Sequence, residues 1–155
     1  QPDIYPHELI RRLIIPTASL VFRVKPMENI FNSLSDYLSL AWVVQLELIK
    51  NSKCRYFNEC WSVYRDHPEG FSKKHELLRF KKQHVAVLEN LCTDAYYKNF
   101  KADIYESIAT EYKNMLWSVE SKDEDSIKKY ISWFKHYSRL ALKYRVKEFK
   151  KLSGE

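Results

Sequence analysis

Two glycines, Gly70 and Gly154, are all that these 155 residues contain. Average usage near 7% would give about eleven. Tight hairpins draw on glycine for positive φ, and phosphate-binding loops need it where backbone approaches ligand closely. Sandwiches, barrels, dinucleotide folds and P-loops are therefore excluded as the main architecture. An all-α chain is what remains. At 45% hydrophobic residues the sequence is too apolar for disorder. Its length suits one domain with a core of its own, so we read 1–155 as a single helical domain. The chain opens on Gln1 rather than Met, which reads as a processed form or a piece of a longer protein.

Proline and capping residues divide the chain into a short first helix and a bundle of about five helices longer than ten residues, with a short irregular segment near the N-terminus. Pro6 suits the first position of a helix over His7 to Ile15, stopped by Pro16. Thr17 to Val24 reads as an irregular connector. A second helix runs from Pro26 to about Lys50, with Ile30, Leu34, Leu38, Ala41, Trp42, Gln45, Leu48 and Ile49 recurring at the helical period. Cys54 to about Asp66 reads as a third, on the spacing of Phe57, Trp61 and Tyr64, and His67 to Gly70 is a loop. Ser72 opens a fourth, through Leu91. A fifth stripe runs from Tyr97 to Val119. The last helix spans about Asp123 to Lys151, its acidic start suited to the positive end of a helix. Short loops imply antiparallel neighbours in a bundle. The expected core includes Leu34, Leu38, Trp42, Ile108, Leu116, Ile131 and Phe134.

Charge is concentrated at one end. From Lys128 to Lys151 there are nine basic residues against Glu148 alone, a net +8 where the whole chain carries +6. Ile127, Phe134 and Ala141 recur every seven residues, and so do Tyr130, Tyr137 and Tyr144. This pattern gives an a/d-like seam facing the core, with the tyrosines at its edge. The basic residues then fall on the solvent side. Blocks of like charge mark interaction elements, so the first functional reading is a non-enzymatic domain that binds nucleic acid, DNA or RNA, by neutralising phosphates. The contacts assigned to this are Lys128, Lys129, Lys135, Arg139, Lys143 and Lys147, with Lys73, Lys74, Lys81 and Lys82 of the fourth helix as a secondary cluster. The alternative is an adaptor or scaffold domain whose basic helix and surface aromatics meet an acidic protein partner.

Other chemistry is sparsely marked. Cys54, Cys60 and Cys92 make an odd count without dense pairing, the pattern of reduced thiols in a cytoplasmic or nuclear protein. A secreted four-helix signalling protein would need a bridge from Cys92 to Cys54 or Cys60. No CxxC or HExxH motif occurs, so neither a metal nor a cofactor is expected. No run of apolar residues reaches the length of a membrane span. Arg79 and His84 have the R-x4-H spacing found in helical ribonucleases of the HEPN type, where histidine serves as acid or base and arginine holds a phosphate. A chain with eight arginines and five histidines produces roughly one such match by chance, and only geometry gives it a role. No catalytic residue is assigned.

Overall fold

The computed structural model describes residues 3–12, 15–22, 39–60, 62–63, 67–68, 70, 77–118 and 123–154. The chain is all-α: helix accounts for 73% of the described residues, beside one two-stranded ribbon. It divides into two compact units, Gln1–Glu76 and Leu77–Glu155.

In the first unit, helix α1 (Pro6–Arg11) begins with proline in its first turn, and the Glu8 carboxylate accepts the Tyr5 backbone N–H at 2.9 Å. It stops four residues short of the expected Ile15, with Arg12 already extended. Pro16 is the cause. It has no N–H to offer the Arg12 carbonyl, and it disfavours helical backbone at the residue before it. Helix α2 (Leu40–Ile49) is apolar almost all round, and it buries Trp42, Val44, Gln45, Leu46 and Ile49. Residues 26–38 of the expected long helix, Leu34 and Leu38 included, lie outside the described residues.

The core of this unit joins α1 to α2. Leu9 and Ile10 are buried, and the Trp42 indole N–H donates to the Leu9 carbonyl at 2.6 Å. Gln45 Nε2 donates to the Ile15 carbonyl at 2.8 Å, satisfying a backbone group that lies beyond the end of α1.

The expected helix at Cys54 is corrected. Strand β1 (Asp3–Ile4) pairs antiparallel with strand β2 (Cys54–Arg55), in the register Asp3 to Arg55 and Ile4 to Cys54. Residues 56–60 are not helical, and Tyr56 and Phe57 are exposed. Cysteine, tyrosine and phenylalanine are indifferent helix formers and good strand formers. A ribbon with an Arg55–Asp3 ion pair at 3.1 Å takes the segment's first turn. Trp61 and Tyr64 lie outside the described residues. The loop at His67 is present, with the Gly70 N–H bonded to the His67 carbonyl at 3.0 Å.

Among its described residues the second unit has three α-helices: α3 (Leu77–Thr93), α4 (Lys101–Leu116) and α5 (Glu124–Ser153). A 3₁₀ segment, Tyr96–Phe100, links α3 to α4 and buries Tyr97 completely. Contacts run in opposite order along neighbours. Between α3 and α4, His84 meets Glu111 and Cys92 meets Tyr105, while between α4 and α5 Asp103 meets Arg145 and Tyr112 meets Tyr130. Both pairs of successive helices are therefore antiparallel. Val85, Val87, Leu88 and Leu91 of α3 and Ile104, Ile108 and Met115 of α4 form the core. Helix α5 has the ends its sequence implies. Asp123 caps it by accepting the Ser126 N–H at 2.7 Å, and Gly154 closes it at φ 77°, where a side chain would be strained.

Candidate interaction face on the last helix

Thirty residues of helix make α5 about 45 Å long. Its inner face is set by tyrosines rather than by the expected seam. Tyr130 and Tyr137 are buried, whereas Ile127, Phe134 and Ala141 are only half-buried and Ile131 is 37% exposed. The placement of Ile131 in the core is thus corrected, as is the relegation of the tyrosines to the edge. The reason lies on α4, which offers Tyr105 and Tyr112. Tyr112 stacks with Tyr137 at 5.8 Å and with Trp133 at 6.0 Å, and Tyr105 packs on Tyr137 and Tyr144 at 6.1 and 5.4 Å. Aromatic pairs gain more from such contact than an isoleucine does, and a tyrosine's polar tip needs a partner once buried. The Tyr137 hydroxyl finds one in the Glu89 carboxylate of α3, at 2.6 Å. Burial and that carboxylate together push the Tyr137 phenol well above its ordinary range. Tyr105 is pushed up to about 12, chiefly by burial and then by Cys92.

This rotation decides which cations are free. Arg145 is not one of them. It is held between helices by Asp103 at 2.9 Å and Glu106 at 3.0 Å, and by Glu148 on its own helix at 3.1 Å. Lys128 pairs with Glu124 at 2.7 Å in the first turn. Lys129, Lys135, Arg139, Lys143 and Lys147 are exposed, with no carboxylate partner among the described residues, and Lys150 and Lys151 extend them. Lys147 lies over the Tyr144 ring at 5.2 Å. Of the secondary cluster, Lys81 is engaged by Glu111 at 2.9 Å and Lys82 is exposed, while Lys73 and Lys74 lie outside the described residues.

Opposite the tyrosines, α5 carries a second apolar line. Leu142 is 66% exposed and Phe149 70%, with Val146 between them and Leu152 beyond. At 100° per residue, Leu142, Val146 and Phe149 fall within an arc of about 60°. Arg139, Lys143, Lys147 and Lys150 border this line and with Leu142 and Val146 line a shallow open hollow. The signal was present in the sequence as spacing i, i+4, i+7. It was hidden because a helix packed on one side was credited with one apolar stripe.

Comparison with known proteins gave no match: no family model, no curated protein and no solved structure resembles the chain. Arg79 and His84 stand about 140° apart on α3, the first exposed and the second turned to Glu111, where Nδ1 lies 3.0 Å from the carboxylate. They do not converge on one point. Cys54, Cys60 and Cys92 are unbridged. Among the described residues no cluster has the makings of a metal site, and no helix is long and apolar enough to cross a membrane.

The Glu111 junction gives a pH prediction. Burial alone would raise this carboxyl, but hydrogen bonds from His84 and Lys81 outweigh it and hold it below its ordinary value of 4.5. A group with a lowered folded pKa adds stability above its unfolded pKa, and loses it as pH falls through the folded one. Thermal stability should thus fall from about pH 4.5 downward, and Glu111→Gln should flatten that part of the profile while costing about 1–2 kcal/mol near neutrality. Melting curves between pH 3 and 7 for both proteins check it. An unaltered acid limb in the variant would show that Glu111 is not the group responsible.

Proposed function

We propose that the chain is a non-enzymatic helical interaction domain, an adaptor whose last helix docks on an acidic protein surface. The observation that carries this reading is the line Leu142, Val146 and Phe149, open to solvent and bordered by Arg139, Lys143, Lys147 and Lys150. Contiguous apolar side chains rimmed by polar ones are the mark of a protein interface. The cations set its sign, favouring carboxylates and speeding encounter with them.

A second reading, nucleic-acid binding, is favoured by the free row Lys135, Arg139, Lys143 and Lys147, which suits phosphates spaced along a strand. The two make different demands on the same helix. Phosphate contact needs the charges alone, whereas a protein partner needs the apolar line as well.

The test replaces Lys135, Arg139, Lys143 and Lys147 with Gln, all exposed and away from the tyrosine face. Each exposed change should alter stability by less than about 0.5 kcal/mol. Labelled polyglutamate and a random-sequence oligonucleotide serve as probes at about 50 mM salt, where exposed charges act most strongly. The adaptor reading expects polyglutamate to bind and its affinity to drop more than about tenfold in the variant, the loss of about 1.4 kcal/mol. Polyglutamate binding that ignores the substitutions would defeat it. Oligonucleotide binding whose log–log salt slope shrinks by up to about four units on duplex would instead establish the phosphate reading.

A further inference from the structure

The outer line of α5 is specific in shape as well as in charge. Arg139, Leu142, Val146, Phe149 and Ser153 alternate at spacings of three and four, which is the a/d pattern of a coiled-coil seam. Lys143 and Lys150 then occupy the position next to a on one flank, with Lys147 beside them. The opposite flank has no free cation, since Arg145 is held by Asp103 and Glu106. The face is therefore apolar over Leu142, Val146 and Phe149, with Arg139 and Ser153 closing the seam at its ends, and its flanks are positive on one side only.

We propose that this seam receives one amphipathic helix of an acidic partner protein, which lays an apolar ridge on Leu142, Val146 and Phe149 and a row of Glu or Asp along the Lys143–Lys150 side. The inference rests on the adaptor reading above and deepens it by giving the partner's form. Three alternative occupants fit the geometry less well. A second copy of α5 would bring Arg139, Lys143 and Lys150 against their own kind, and like charges across a seam are repulsive. An anionic lipid surface takes helices with a broad apolar face along their length and basic residues on the polar face, whereas here Leu142, Val146 and Phe149 span about 60°, the width of an a/d seam, and only Leu152 in the last turn widens the arc. A nucleic acid would leave Leu142 and Phe149 without a role.

The one-sided charge also gives the partner a handedness. Its acidic row must lie on the flank away from α4, which fixes how the two helices are rotated about their axes.

The experiment uses the full chain and a synthetic helix of about four heptads with Leu at a and d and Glu at e and g. Affinity is read by fluorescence anisotropy for the wild type, for Leu142→Ser with Phe149→Ser, and for Lys143→Gln with Lys150→Gln. Melting curves confirm that each variant keeps the wild-type transition. The expected result is saturable one-to-one binding by the wild type, weakened at least about tenfold in both variants, with only the Lys variant losing salt sensitivity. Polyglutamate binding together with equal affinity of the wild type and the Ser variant for the helix would overturn the seam while leaving the acidic-partner reading standing. Failure of both polyglutamate and the helix to bind would overturn both. Stripe-dependent binding to phosphatidylglycerol vesicles that the helix does not compete away would overturn the inference in favour of a lipid surface.

Discussion

Replacing Trp42 with alanine is expected to cost about 3–5 kcal/mol, the range for truncating a buried large aromatic. Its ring is 3% exposed, and its indole N–H holds the Leu9 carbonyl at 2.6 Å. Two losses combine: a cavity between α1 and α2, and a buried carbonyl left without its donor. Net stabilities of ordinary domains are about 5–15 kcal/mol, so the variant should melt far earlier or fail to fold. Trp42→Phe separates the two terms. It fills most of the cavity and removes only the donor, for about 1–2 kcal/mol. Urea unfolding followed by far-ultraviolet circular dichroism measures both. A loss below about 1 kcal/mol for the alanine variant would mean that Trp42 does not anchor α1.

The second large effect belongs to Tyr137. It is 8% exposed and packed against Tyr105, Tyr112 and Trp133, and its hydroxyl is bonded to Glu89. Tyr137→Ala should cost about 3–5 kcal/mol. Tyr137→Phe keeps the stack and removes only the hydrogen bond to Glu89, an exposed residue that water can serve instead, for about 0.5–1.5 kcal/mol. Ile131→Ala, six residues earlier, should cost under about 1 kcal/mol because its side chain already meets water. The contrast separates the two phases of α5. A helix seated on Ile127, Phe134 and Ala141 with Ile131 inward would give the reverse order of losses.

What the sequence made legible follows from how local each signal is. The start of α5 was readable from its acidic run, and the expected end at Lys151 falls two residues before Ser153, where the left-handed Gly154 stops the helix. The all-α class was readable from missing glycines. The rotation of α5 was not, because it depends on which residues α4 presents. Tyr105 and Tyr112 favour a tyrosine face over an isoleucine one, and that preference is tertiary. The ribbon at Cys54–Arg55 was not readable either. Its partner, Asp3–Ile4, is some fifty residues away, and Phe57 with Trp61 and Tyr64 made a plausible stripe. Among the basic residues assigned to binding, charge alone could not tell Lys81, engaged by Glu111, from Lys143, which stands free.

Helix α5 has two faces, one seated on α4 and one open, and both its packing and its proposed docking depend on them. Hydroxyl-radical footprinting of the unliganded chain tests this most directly. Leu142 and Phe149 should be oxidised freely, and Tyr130 and Tyr137 should be strongly protected until the protein is denatured. Protection of Leu142 and Phe149 together with ready oxidation of Tyr137 would contradict it, since the open face and the core face would then have changed places.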